Sequence, residues 1–343
     1  MATGVPADLL GLLVIPCLNE ERHIASVIES ILSDPQARKL LIVVVDGGSS
    51  DETLPTVANY VVRFSNVKLI HNPLRIQSAA VNLAARMHGD AARWLVRIDA
   101  HAAYPSGYVS ALIAEAERTQ ADSVVVAMTA QGTRCFERAA AAAQNSILGA
   151  GGSPHRRRGQ EGFVDHGHHA LFDMRRFLSL GGYDESQKHN EDAEFDCRLG
   201  HAGGRIWLTN AVHVTYYPRS SAGALFSQYC NYGRGRATTM LRHRQRPKLR
   251  QLLPAAIAPA VLFAALSPLA PMAAVPMLAW LGVCLVYGAV LGMSARSICA
   301  CAAGIAAPVM HLAWSLGFWQ ALIEAAAGAG MRATRPASGM GSP

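Results

Sequence analysis

The chain has 343 residues, 51% of them hydrophobic and only 16% charged, with 31 Lys and Arg against 24 Asp and Glu, where a soluble domain usually carries about 25% charged residues. The charges are uneven: residues 1–241 hold 23 basic and 23 acidic side chains, 242–250 hold five basic and none acidic, and 251–331 hold only Arg296 and Glu324. A neutral domain, a basic collar and an almost uncharged tail exclude a nucleic-acid reading of the net charge of +7, which would need a basic face with groove-reading or stacking elements, and the composition excludes a disordered, collagenous or disulfide-scaffold chain.

In chain order, Leu10 to Ile15 is a short apolar run, and Ile24, Val27, Ile28, Ile31 and Leu32 then recur at helical spacing. Leu40 to Val45 is a second strand ending in Asp46-Gly47-Gly48, and Val67 to His71, Trp94 to Ile98 and Ser123 to Met128 are further strands. Ala79, Ala80, Leu83, Ala84 and Met87 mark a helix, and Ala139 to Ala143 is a helical alanine run. Strand–helix–strand order predicts an α/β domain with a mostly parallel central sheet and flanking helices, whose ligand site lies beyond the carboxyl ends of the strands.

The tail is uncharged from Gln251 to Ala295 for 45 positions and from Ser297 to Ile323 for 27. At about 20 residues per span this predicts three membrane segments, near 252–269, 273–293 and 297–322. Pro254, Pro259, Pro268 and Pro271 interrupt the first, which can instead be re-entrant or interfacial. Arg242, Arg244, Arg246, Lys248 and Arg250 place that side in the cytoplasm by the positive-inside rule; Arg332 and Arg335 pull the far end inward too, in conflict with three full spans. The expected organisation is a cytoplasmic domain over 1–240, a collar over 241–250 and an anchor over 251–330. The seven cysteines form no CxxC pair, and no disulfide framework or zinc ribbon is expected. No signal peptide is read at the N-terminus.

Unusual residues gather at the strand ends. Strand one runs into Pro16-Cys17-Leu18-Asn19-Glu20-Glu21 and strand two into Asp46-Gly47-Gly48-Ser49-Ser50-Asp51; the glycines permit close backbone approach to a ligand, and Ser49, Ser50 or Asp51 can cap the next helix. At Asp99-Ala100-His101 a carboxylate and an imidazole two positions apart can hold a divalent cation that bridges two phosphates. Gly181-Gly182-Tyr183-Asp184-Glu185 leads to Asn190-Glu191-Asp192, where Asn190 can cap a helix carrying Glu191, Asp192, Glu194 and Asp196. His166, His168 and His169 lack the spacing of a zinc site and are expected at an acceptor cleft instead.

Four ordered motifs over residues 10–240 resemble the inverting, nucleotide-sugar-dependent glycosyltransferases of family 2, with the GT-A fold, and within them the succinoglycan-biosynthesis glucosyltransferases. The resemblance implies that Pro16, Leu18 and Glu20 line the nucleoside pocket, that Asp46 binds uracil, that Arg75 and Asn82 lie near the diphosphate, that Asp99 contacts ribose or metal, and that Asp192 is the catalytic base. Where the broad family has Asp-x-Asp as its metal motif this chain has His101 second, as the succinoglycan-type subgroup does; Mn²⁺ or Mg²⁺ is the expected cofactor, on Asp99 and His101. The processive Gln-x-x-Arg-Trp motif is replaced by Gln228-Tyr229-Cys230-Asn231-Tyr232 and Gly233-Arg234-Gly235-Arg236, so one sugar per encounter is expected. Gln228, Arg234, Arg236, Glu191, His166 and His168 are candidates for the acceptor or its diphosphate.

The expected activity is transfer of one hexose, glucose from its UDP donor, to a polyprenyl-diphosphate-linked saccharide at the cytoplasmic face of a bacterial inner membrane, in exopolysaccharide assembly. A polyprenyl-phosphate glycosyltransferase is the alternative of the same fold. From other classes, a sugar-phosphate nucleotidyltransferase would need a basic glycine-rich loop after strand one, which Pro16 to Arg22 does not supply, and a transporter with a nucleotide-binding domain would need polar or broken helices lining a path, for which only His311 and Arg296 are polar enough.

Overall fold

The structure, a computed structural model, describes residues 8–151, 159–187 and 189–333. Strands and helices alternate through the first half: β1 (Gly11–Cys17), α1 (Ile24–Leu32), β2 (Leu40–Asp46), α2 (Thr53–Arg63), β3 (Val67–His71), α3 (Gln77–His88), β4 (Trp94–Arg97), β5 (Ala102–Ala103), α4 (Tyr108–Thr119) and β6 (Ser123–Ala130). Then follow α5 (Cys135–Gln144), α6 (Ile147–Ala150), β7 (Gly162–Val164), β8 (His168–Asp173), α7 (Met174–Ser179), α8 (Glu191–His201) and β9 (Ile206–Tyr216). Every strand read from hydrophobicity lies where expected, to within two residues.

The sheet order is β3-β2-β1-β4-β8-β6-β9-β5, with β7 on β9. β1 to β4 are mutually parallel, as expected. Beyond them the sheet is mixed: β8 runs antiparallel to both β4 and β6, while β6 and β9 are parallel. That reversal matters for the site, because it brings the start of β8 to the end of β4.

The pleat divides the core in two. Leu13, Ile15, Ile42, Val44 and Val96 pack with Ile24 and Ile28 of α1 and Leu112 of α4; Leu12, Val14, Leu41, Val43 and Leu95 pack on the other face with Ala80 and Ala84 of α3, Phe177 of α7 and Phe195 of α8. Strands covered on both faces need continuous apolar runs, which is why β1 and β2 show no polar alternation. Phe172, Phe177, Tyr183 and Phe195 form one aromatic cluster with centroids 5.1–6.0 Å apart. It fixes α8 against the sheet, and loss of one phenyl ring from such a core costs about 3–5 kcal/mol.

The rest is helical: α9 (Ala222–Arg242), α10 (Leu249–Ala255), α11 (Ile257–Ala264), α12 (Val275–Ala295), α13 (Ile298–Cys301) and α14 (Ala303–Ala333). Two helices, over 271–295 and 298–327, are long and apolar enough to cross a membrane by length and composition. The expected segment over 252–269 is instead broken into α10 and α11. Pro259 has no N–H for the carbonyl of Ala255, and that carbonyl accepts from Ser315 Oγ at 2.9 Å and Trp319 Nε1 at 2.7 Å of α14. Ser315 Oγ also accepts from Ala258 N at 2.9 Å.

α14 returns to the earlier helices, running beside α9. A Cβ on Gly233 would lie 2.0 Å from Trp314 O, and one on Gly317 1.9 Å from Cys230 O, so the two backbones touch where only glycine fits. No disulfide framework was expected, and the described residues hold one disulfide: Cys135 at the start of α5 and Cys299 of α13 are bonded across 164 residues of sequence. Spacing could not show this, because the packing of the tail on α5 brings the two together.

Candidate functional site

Parallel register puts Cys17 beside Asp46, Asp46 beside His71 and Val14 beside Arg97, so the carboxyl ends of four strands meet at one edge. The loops leaving β1 and β2 are sewn together there. Asn19, in the left-handed region at φ 57°, donates its N–H to Ser49 Oγ at 2.8 Å and accepts from Ser50 N at 2.9 Å. Glu20 N donates to Thr53 Oγ1 at 2.8 Å, Glu21 N to Asp51 Oδ2 at 3.2 Å, and Glu52 N to Glu21 Oε2 at 3.1 Å. Asn19 is thus a cross-loop clasp and not a helix cap.

Asp46 is only 2% exposed. Its carboxylate accepts from Gly48 N at 2.6 Å, Ser49 N at 3.0 Å and Ser49 Oγ at 2.5 Å. The side chain expected to meet a base is spent on holding its own Gly47-Gly48-Ser49 turn. Pro16 is half-buried at the end of β1, and Leu18, 43% exposed, stands beside Gly47. Arg75, also left-handed at φ 57°, lays its guanidinium over Gly48, whose own φ is 90°. These residues form one wall.

Asp99 lies just past β4. Gln77 Nε2, at the first residue of α3, donates to its Oδ1 at 2.7 Å, and His168 Nε2 is 3.5 Å from its Oδ2. Burial raises the Asp99 carboxyl; Arg97, His168 and His101 outweigh it and hold the group below the usual carboxylate range. His101 turns to Glu20, with Nδ1 3.0 Å from Oε1, and this hydrogen bond lifts the imidazole above its ordinary value despite burial and the opposing charge of Arg219. Carboxylates and imidazoles from Asp99, His101, His168 and Glu20 are the donor types a divalent cation of the Mn²⁺ class accepts.

Arg97, which no sequence pattern singled out, joins this centre to α8. Its guanidinium is 3.6 Å from Asp99 Oδ1 and 3.1 Å from Glu191 Oε1, and donates to Tyr183 Oη at 3.2 Å. Arg97 and Glu191 have side chains only 7% and 9% exposed. Burial pushes Glu191 up, with Asp192 adding and Arg97 opposing.

The four acids of α8 separate by partner. Glu191 pairs with Arg97; Glu194 takes Arg198 and His243; Asp196 takes His166 Nδ1 at 2.7 Å and Gly167 N at 3.3 Å. Asp192 is half-buried, and Arg236 of α9 lies close by: burial pulls that guanidinium down, and Asp192 is the foremost charge opposing it. Asn190, expected to cap α8, is left-handed at φ 65°, makes no side-chain cap bond and reaches Thr239 Oγ1 at 3.4 Å.

Other expected residues are elsewhere. Asn82 is buried; its Nδ2 donates to Tyr183 O and Glu185 Oε1, and its Oδ1 accepts from Tyr183 N. It splints the Gly181-Gly182 turn, where a Cβ on Gly182 would fall 2.3 Å from Asn82 Oδ1, and so is not available to a diphosphate. Gln228 Nε2 is bonded to Tyr216 Oη and Tyr232 Oη, and Arg234 pairs with Glu324 of α14 at 2.9 Å. His166 is bonded to Asp196 in the second turn of α8. The side chain of His169 lies outside the described residues. Gln77, Arg97 and Arg219 were missed; only the position of Gln77 at the start of a helix after the Asn72-Pro73 turn was a signal.

Residues 12–178 match the sequence profile of Glycosyl transferase family 2. Over 314 residues the chain is 47% identical to the succinoglycan biosynthesis protein ExoA of Rhizobium meliloti (strain 1021), covering 92% of this chain and 95% of that one. The chain belongs to glycosyl transferase family 2. It is also 29% identical over 90 residues, 24% of its length and 28% of the relative's, to dolichyl-phosphate beta-glucosyltransferase ALG5A of Trichomonas vaginalis. Among solved structures, the mannosyltransferase PcManGT of Pyrobaculum calidifontis superposes with a TM-score of 0.55 at 18% identity, over 92% of this chain and 87% of that one. TarS 1–349 of S. aureus gives 0.50 at 14% identity, over 73% and 70%. These structures share the fold, and the protein is a glycosyltransferase with the GT-A α/β architecture expected from its motifs.

Proposed function

We propose that this glycosyltransferase moves one hexose, glucose, from a UDP donor to a polyprenyl-diphosphate-linked saccharide, with inversion, at the cytoplasmic face of a bacterial inner membrane during exopolysaccharide assembly. The likeness to a protein of succinoglycan biosynthesis over nearly the whole of both chains supports the pathway. The bare apolar surface of α12, with Leu278, Val283, Leu285, Val286, Val290 and Met293 exposed, supports a lipid surround.

The observation that carries the chemistry is the buried Arg97–Glu191 ion pair, which draws the first turn of α8 to the strand-end edge beside Asp99. The resemblance of Asn190-Glu191-Asp192 to the family motif, together with the place of Asp192 in that first turn of α8, supports Asp192 as the base. It takes the proton of the acceptor hydroxyl as that oxygen bonds to the anomeric carbon and the bond to the UDP oxygen breaks. Arg75 and Arg219 lie on the donor side and face the diphosphate, while Pro16, Leu18 and the Gly47-Gly48 turn shaped by Asp46 receive the nucleoside. Arg236 supplies a positive charge on the α9 side of Asp192. Asp99 and His101, with His168 behind Asp99, would hold a divalent cation, which when bound offsets charge on the departing diphosphate. Gln77 and Arg97 orient Asp99 for that role.

Ligand that binds only the native state raises the melting temperature. Detergent-solubilised protein with Mn²⁺ or Mg²⁺ is expected to melt higher with UDP than with ADP, GDP or a nicotinamide cofactor. No shift with any uridine nucleotide, together with a clear one from another cofactor, overturns the proposal.

A further inference from the structure

A cluster remote in role from the sugar site gathers at the far end of α8. Cys197 and His201, four residues apart on one helix face, meet His243 at the C-terminus of α9, and one ligand atom from each lies within 4.8 Å of the others. Cys197 Sγ and His201 Nδ1 are 3.7 Å apart. A tetrahedral zinc ion, with bonds of about 2.3 Å to sulfur and about 2.0 Å to nitrogen, sets those two atoms about 3.5 Å apart. The separation is that of an edge of the coordination tetrahedron.

The surroundings also suit a soft divalent ion. His243 Nε2 is 2.9 Å from Glu194 Oε1, and a carboxylate on one ring nitrogen fixes the tautomer and leaves the other, Nδ1, for a metal. Glu194 is itself fixed by Arg198, whose Nη2 is 2.6 Å from its Oε2. Gln245 Nε2 donates to Cys197 Sγ at 3.0 Å, a hydrogen bond that a metal-bound thiolate accepts better than a thiol does. A surface cavity of about 350 Å³ lined by Glu194, Arg198, Arg242 and His243 opens beside the cluster, and Arg242 in it is paired with Asp184.

We propose that Cys197, His201 and His243 form a zinc site, completed by water, that clamps the catalytic helix α8 to the end of α9 where the basic collar begins. Mn²⁺ and Mg²⁺ prefer oxygen donors, whereas a thiolate with two imidazoles selects zinc or cobalt. The clamp is therefore separate from the cation expected at Asp99 and His101, and it holds α8 in the place where Asp192 meets the acceptor.

The full chain in detergent, stripped with chelator, is titrated with Co²⁺ and then Zn²⁺. The expected result is one equivalent of cobalt giving a thiolate-to-cobalt charge-transfer band that zinc abolishes and excess Mg²⁺ does not. Cys197→Ser is expected to remove the band, and His201→Asn or His243→Asn to lower cobalt affinity at least tenfold, while each variant still shows the UDP-dependent melting shift that reports a folded protein. A band that survives in Cys197→Ser places the metal on another thiol and overturns the proposal, as does a wild-type chain with no thiolate band. Failure of the UDP shift in the wild type bears on the sugar-nucleotide reading alone, since the cobalt spectrum is read without nucleotide; a variant that has lost the shift is instead judged by Cys197→His, which keeps three metal ligands but no thiolate and is expected to bind one equivalent of cobalt with the visible d–d bands of a tetrahedral site and no charge-transfer band, and failure to bind cobalt overturns the site.

Discussion

At the scale of single residues, neighbouring acids on one helix do different work because their partners differ. Asp192→Asn is expected to lower kcat by about 10²-fold to 10⁴-fold, the range for a lost general base, with the melting temperature and the UDP shift nearly unchanged. Glu191→Gln leaves the buried Arg97 guanidinium with Asp99 as its remaining carboxylate, a loss smaller than the roughly 3–5 kcal/mol of a buried pair broken outright; its first effect is expected on melting temperature. Paired steady-state kinetics and thermal melts of the two variants check this, and wild-type turnover in Asp192→Asn contradicts the assignment. Asp99 and His101 were legible in the sequence because a charged pair stands out at the end of an apolar strand. Arg97 was not: a cation at the last residue of a strand reads as solvated, and only the approach of Tyr183 and α8 over it shows that it is buried. Asn82 erred the other way, since a polar residue on a helix after a turn reads as facing a ligand when here it answers bare backbone at Gly182 and Tyr183.

Among the elements, α5 connects the sheet to the apolar helices and begins at Cys135. Its first turn is held by Glu137, whose Oε2 accepts from Arg134 N at 3.0 Å, Thr133 Oγ1 at 2.7 Å and Thr133 N at 3.0 Å. Led by the Arg134 N–H, these bonds hold the carboxyl down at about 2. A carboxyl depressed in the folded state stabilises above its unfolded value near 4.5 and loses that contribution as pH falls toward the folded value. Glu137→Gln is therefore expected to lower the melting temperature at pH 7, with the gap from wild type closing between about pH 4.5 and pH 2; a gap independent of pH contradicts a role for the charge. The parallel strands were legible because double-sided burial writes continuous apolar runs. The antiparallel β8 was not: only its strand-end pairing with β4 shows why His168 reaches Asp99. The break between α10 and α11 was signalled by proline, but the Ser315 and Trp319 donors that satisfy Ala255 come from 60 and 64 residues away.

For the whole molecule, the charge map divided the chain near residue 241, and the structure shows what crosses that line. α9 runs through it, α14 touches α9 backbone to backbone at Gly233 and Gly317, Cys135–Cys299 joins the two parts, and the collar residue Lys248 pairs with Asp165 of the catalytic domain. Composition could divide the chain but not show this packing, which depends on small residues whose role appears only when two helices meet. A catalytic domain seated so closely on apolar helices is suited to an acceptor that is itself anchored in lipid. The most direct test is transfer itself: purified full-length enzyme in lipid bilayers, given UDP-[¹⁴C]glucose and a lipid extract from cells making the polysaccharide, followed by organic extraction and mild acid release. The account predicts label in the organic phase, released as a saccharide longer than one sugar with the configuration at the labelled anomeric carbon inverted. Label released as a single sugar makes the lipid phosphate the acceptor, and label that stays in water with every UDP-sugar tried, or a retained configuration, contradicts the account.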